Sequence, residues 1–164
     1  MLLGPMQLHE LFSPDDLLVG FHPADKWEAI ETLVDHLVER GKLDRDSGAR
    51  VLEQVQARER SMSTGMERGI AIPHAAVDQI DQVLACMGIV SDEAGLAFES
   101  IDAQPARLIV LLVIPRSQKL LHIRTLADVA RVLGIDEVRA ALIGAETPGQ
   151  AWEALSAGDA ANHR

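Results

Sequence analysis

The sequence predicts an α/β fold: a three-layer sandwich with a mixed four- or five-stranded sheet and helices on both faces. Three observations carry this. Residues 26–58 hold two stripes of apolar side chains at helical spacing, a third stripe starts near residue 120, and LIVLLVI at 108–114 is apolar at every position. A strand apolar on both alternating faces must be covered on both, which demands helices on each side. With 164 residues, about 70% of the unfolded surface can be buried in one domain, and no room is left for a second. The expected unit is a single domain over 1–164, with its core at about 8–156 and a frayed tail at 157–164 (AGDAANHR).

The elements follow in order. Leu17–Phe21 (LLVGF) reads as a short strand, and Asp25 as a helix N-cap with Glu28 as its reciprocal partner. Trp27, Ile30, Leu33, Val34, Leu37 and Val38 give that helix one apolar face, and Gly41 stops it. A second helix is expected from about Asp44 to Arg58, with Val51, Leu52 and Val55 inward. SMSTGMERG at 61–69 reads as a loop. Strands are expected at Ile70–Pro73, Val83–Val90, Leu96–Glu99 and Leu108–Ile114. A helix at about Leu120–Val132 carries Leu126, Val129, Ala130 and Leu133 on one stripe, with His122 in its first turn on the inward side. Two shorter helices are expected at Asp136–Ile143 and Thr147–Leu155.

Composition narrows the function. The formal charge of −10 disfavours a nucleic-acid or anionic-membrane partner. No apolar run is long enough to span a bilayer, and MLLGPMQLHE lacks the pattern of a secretion signal, so a cytoplasmic location is expected. The lone Cys86 rules out an internal disulfide and a multi-cysteine zinc site, and among apolar strand residues it reads as core. Walker, GxGxxG and GxSxG motifs are absent. His9, His22 and His36 show no metal-ligand spacing, and His36 reads as a helix-surface residue; no metal and no cofactor is expected.

The chemistry concentrates in GIAIPHA at 69–75. Pro73 lacks an amide hydrogen and disfavours helix at Ile72, so the strand should end there, with His74 just beyond its carboxyl end, where ligand sites of α/β sheets gather. Arg58-Glu59-Arg60 and the glycine-containing loop precede it, a combination suited to a phosphoryl group. His122 begins a helix after another strand and meets His74 if the two strands are neighbours. A hydrogen-bonded surface histidine satisfies the same pattern, and periodicity does not choose between them.

Taken together, Arg58-Glu59, Ser63-Thr64-Gly65 and Gly69–Ala75 resemble the signature of the fructose/mannitol/nitrogen-type enzyme IIA domain of the bacterial phosphoenolpyruvate-dependent phosphotransferase system. Ile101-Asp102-Ala103-Gln104-Pro105, Pro115, His122, Leu126-Ala127 and Ala130 are similar to the family's second half. The resemblance implies that His74 is phosphorylated by the histidine-containing phosphocarrier protein and passes the group to an enzyme IIB cysteine. It also implies that Arg58 and His122 flank the phosphohistidine and that Thr64 lies in its loop. Amides of the 63–69 loop, Gly65 included, are expected at the phosphate. Where the family has a glycine, this chain has Glu67, an added negative charge that Arg68 is expected to offset as a second phosphate-binding cation. Met62, Met66, Leu120 and Leu121 are expected near the site as partner surface or as loop anchors. The alternative function is a free-standing nitrogen-type regulator whose His74 phosphorylation controls binding to kinases or transporters.

Overall fold

The strand LIVLLVIP, Leu108–Pro115 (β5), organises the molecule because every one of its residues is buried. Its side chains alternate between two cores: Leu108, Val110, Leu112 and Ile114 enter one, Ile109, Leu111 and Val113 the other. The computed structural model describes residues 7–161. Leu84–Val90 (β4) runs antiparallel along one side of β5, and Leu17–Phe21 (β1) lies parallel to β4. The other side of β5 pairs in parallel with Ile70–Ala71 (β2) and then His74–Val77 (β3), completing a mixed five-stranded sheet.

Helices cover both faces, as the apolar run requires. Lys26–Glu39 (α2) and Arg45–Ser61 (α3) bury Ile30, Leu33, Val34, Leu37, Val51 and Val55 on the second core. Leu8–Leu11 (α1), Lys119–Leu133 (α4), Asp136–Ile143 (α5) and Pro148–Ala161 (α6) close the first, with Leu8, Val129, Val132, Leu133, Leu142 and Leu155 inward. Asp25 caps α2 by accepting from the Glu28 amide at 2.8 Å, and Glu28 reaches back to the Ala24 amide, one residue further than a reciprocal box requires. Cys86 is core: its thiol is fully buried, its pKa is pushed up by burial, and it donates to the Leu33 carbonyl at 3.4 Å.

Four expectations are corrected. Residues 70–73 are not one strand with His74 beyond its end: Pro73 cannot donate, pairing stops after Ala71, and it resumes at His74. Residues 96–99 form no strand; Leu96 makes an isolated bridge to Ala106, and Leu96 and Phe98 are buried without a ladder. The tail is not frayed through 161, because α6 continues to Ala161 and its buried Asp159 accepts from the Leu8 and His9 amides and His9 Nδ1. Residues 162–164 lie outside those described. Finally, His36 is not on the surface but packs Nε2 at 3.2 Å from buried Asp16, which also accepts from Lys42 at 2.7 Å.

Candidate active site

His74 opens β3, the short strand at the free edge of the sheet, directly opposite Leu112 of β5. Paired residues point to the same face, so its imidazole leaves the sheet on the side of Leu112 and α4. There His122, in the first turn of α4, meets it edge-on, with ring centroids 5.4 Å apart and planes at 77°. Arg58, in the last turn of α3, reaches the same edge from the opposite layer. An open hollow of about 380 Å3 is lined by Arg58, His74, His122 and Arg116, with Gln54 and Ala76 among its walls.

The tautomer follows from one hydrogen bond. His74 Nδ1 lies 2.8 Å from the Ile72 carbonyl oxygen, which can only accept, so Nδ1 carries the hydrogen and Nε2 keeps its lone pair. Burial lowers the pKa of His74 below its ordinary 6.5; the Ile72 carbonyl and Glu59 work against this, while the charge of Arg58 and the nearby His122 reinforce it. The ring is therefore neutral and nucleophilic near neutral pH. Arg58 Nη1 donates to the Met62 carbonyl at 2.7 Å, which ties the guanidinium to the loop and leaves its other donors for an anion.

Not every candidate comes to this hollow. Thr64 lies beside the site's strand, its carbonyl accepting from the Ile72 amide at 3.1 Å, but its hydroxyl donates to Glu59 Oε2 at 2.6 Å and so is already committed. Gly65 donates its amide to Ser63 Oγ at 3.2 Å and bridges Ala71; a Cβ here would fall 2.3 Å from the Glu99 carbonyl oxygen, so this glycine permits close packing and does not offer a phosphate amide. Arg68 is elsewhere. Its Nη1 donates to the carbonyl of Gly134, at the far end of α4 from His122, a separation of twelve residues or about 18 Å along a helix. It therefore does not offset Glu67 at His74, and the costly positive φ falls on Arg68 (65°) rather than on Glu67. Met62 and Leu120 are exposed, whereas Met66 packs against the first core as a loop anchor.

Arg116 escaped the sequence reading, and Glu59 entered it only as part of a motif, without a role of its own. Arg116 follows β5 directly, donating to Asp78 Oδ2 at 3.2 Å and to the Ala76 carbonyl at 3.1 Å; its signal was a cation immediately past the carboxyl end of the central strand. Glu59 is the buried anchor of the 61–69 loop, accepting from the Thr64 amide, the Thr64 hydroxyl and Lys26 Nζ. Its signal was the spacing of Val51, Val55 and Glu59, which places a carboxylate on the buried stripe of α3.

The comparisons with known proteins bear on this geometry. The family model described as phosphoenolpyruvate-dependent sugar phosphotransferase system, EIIA 2, matches residues 10–158. The chain is 30% identical over 145 residues to a fructose-specific EIIA component of Haloferax volcanii, covering 88% of this chain and 86% of that one. It is 29% identical over 151 residues to a nitrogen regulatory protein of Klebsiella oxytoca, covering 92% and 91%. In fold it is similar to the nitrogen regulatory protein IIA-Ntr of Neisseria meningitidis (TM-score 0.79, 23% identity, 90% of this chain and 98% of that one) and to IIA mannitol of Escherichia coli (TM-score 0.74, 20% identity, 88% and 98%). Among the described residues no helix is long and apolar enough to cross a membrane. A match over nearly the whole chain, on a fold that places Arg58, His74 and His122 around one hollow, identifies this protein as a member of the EIIA 2 family of the phosphoenolpyruvate-dependent sugar phosphotransferase system.

Proposed function

We propose that this protein is a phosphohistidine carrier: His74 Nε2 takes a phosphoryl group from the histidine-containing phosphocarrier protein and gives it to a cysteine of an enzyme IIB domain. The observation that carries the reading is the lone pair of Nε2, left free by the Nδ1 bond to Ile72, in a hollow lined by two guanidiniums and a second imidazole. Nε2 attacks phosphorus as the donor's nitrogen–phosphorus bond breaks and the donor imidazole departs. The proton stays on Nδ1, where the Ile72 carbonyl stabilises the positive charge gained by the ring. Arg58 and Arg116 meet the charge that spreads over the equatorial oxygens, and His122 supplies a further donor. Attack by the acceptor thiolate then breaks the new bond and restores the neutral ring.

Because donor and acceptor are proteins, the surroundings of the hollow must be wettable yet sticky. Met62, Leu120 and Ile123 are exposed at 70%, 83% and 67% on the loop and helix that carry Arg58's carbonyl partner and His122, which suits brief apolar contacts with successive partners. A solved complex of Escherichia coli enzyme IIA mannitol with phosphorylated enzyme IIB shares the fold (TM-score 0.72, 19% identity) and supports an enzyme IIB acceptor.

A second reading is favoured by the relatives named nitrogen regulatory proteins, one of which matches along 91% of its length. In it, phosphorylated His74 governs contact with kinases or transporters. Labelling with radioactive phosphoenolpyruvate, enzyme I and the phosphocarrier tests both: His74→Ala is expected to take no label, and full labelling of that variant rejects the carrier role. Loss of label from wild type to an added enzyme IIB cysteine indicates transport, and label that persists indicates regulation.

A further inference from the structure

Arg68, displaced from the His74 hollow, joins two other arginines at the opposite end of the sheet. Arg68 precedes β2, Arg107 precedes β5 and Arg139 lies on α5; together they line an open hollow of about 590 Å3 with Glu93, Gln104 and Asp136. Register separates the two sites: Ile70 pairs with Leu108 and His74 with Leu112, so four residues, about 13 Å, lie between them along β5.

Each guanidinium is held in place by backbone carbonyls. Arg68 Nη1 donates to Gly134 at 2.8 Å, Arg107 Nε and Nη2 to Val90 and Ser91 at 3.3 and 2.9 Å, and Arg139 Nη1 to Leu133 at 3.0 Å. Side chains anchored this way lose little further freedom when a ligand arrives. Arg139 also pairs with Asp136, and the three arginines are matched by Glu93, Asp136 and the Asp102 carboxylate at the Arg68 amide, so this hollow is near neutral in a chain of −10. Arg68 adds a second, independent sign. It sits at φ 65°, a conformation suited to glycine, and its amide is fixed there by Asp102 Oδ2 at 2.9 Å. Non-glycine residues held in this conformation cluster at functional sites, and Ala103 beside the hollow shares it at φ 59°.

We propose that this hollow is a second ligand site, for a small phosphomonoester. The remaining donors of Arg68, Arg107 and Arg139 take the phosphate, pairs of whose oxygens accept two parallel N–H bonds from a guanidinium. Glu93 and Gln104, on the rim, accept and donate to hydroxyl groups of the attached carbon chain. The volume is in the range of small-molecule sites, roughly 300–1,000 Å3.

The test is a titration of the isotopically labelled full chain, followed by amide resonances, with inorganic phosphate and then glycerol 3-phosphate at constant ionic strength. Saturable shifts are expected at Gly69, Arg107 and Asp136, with glycerol 3-phosphate the tighter ligand. Arg68→Gly relieves the positive φ, so it is expected to raise the thermal midpoint while weakening binding by about tenfold, the equivalent of one lost charged contact; Arg139→Gln is expected to weaken it similarly. Linear shifts without saturation, shifts confined to residues around His74 and His122, or unchanged binding by Arg68→Gly would each overturn the proposal. Equal affinity for the two probes would also overturn it, because a phosphomonoester site has to gain from the attached carbon chain.

Discussion

Glu59→Ala is the most informative substitution for how the site is held. The carboxylate is buried and accepts from the Thr64 amide at 3.1 and 3.2 Å, from the Thr64 hydroxyl at 2.6 Å and from Lys26 at 3.3 Å. Removing it strands a buried amide and hydroxyl and an ammonium only 18% exposed. Breaking a buried, hydrogen-bonded ion pair from one side costs about 3–5 kcal/mol. For a chain of this size each kcal/mol moves the thermal midpoint by about 2–4 °C, so a fall of roughly 6–20 °C is expected. Urea unfolding followed by tryptophan fluorescence, on wild type, Glu59→Ala, Thr64→Val and the double variant, isolates the hydroxyl. If Thr64 Oγ1 is committed to Glu59, the two losses overlap and the double variant is more stable than their sum by about 1–2 kcal/mol. Losses that add to within about 0.5 kcal/mol would refute the reasoning and return the hydroxyl to the phosphate site.

Three further outcomes are expected. Because His74 titrates below 6.5 in the folded chain, the unfolded state binds the proton first as pH falls. Its contribution to stability is complete above 6.5 and is lost as pH drops through the folded pKa. Resonances of the His74 ring followed against pH would show this, and a midpoint above 6.5 would contradict it. Arg116→Gln should slow His74 labelling by about tenfold, one charged contact to the phosphoryl oxygens, while the thermal midpoint holds because its Asp78 pair is exposed. A labelling rate within about twofold of wild type would take Arg116 out of the mechanism. Gly88→Ala should destabilise by about 1–3 kcal/mol, since the added Cβ falls 2.3 Å from the Phe21 ring, and Phe21→Leu in the same chain should restore part of the loss in urea unfolding.

The gathering of the candidate residues near Pro73 was partly legible because its signals are local. Pro73 and His74 are adjacent, and Pro73's missing amide hydrogen breaks the strand without any tertiary help. The alternating burial of Leu108–Pro115 and the apolar stripes of α2 and α3 are local too, and with Asp25 as a cap they predicted three layers. Leu96 and Phe98 misled for the same reason: alternation reports burial, and a strand needs a partner as well.

What the sequence determined by itself was most of the helices, the central strand and the break at Pro73 beside His74, because periodicity, proline and side-chain chemistry act within a few residues. Which groups share a hollow was decided only by the tertiary structure. The pairing of β3 rather than β2 with the far half of β5 brings His74 to His122 and Arg116. The same register carries Arg68, six residues earlier in the chain, to the other end of the sheet and to Arg107 and Arg139. A strand advances about 3.3 Å per residue, so a few positions of register exceed the reach of any side chain, and no local pattern in the sequence records which partner strand sets that register.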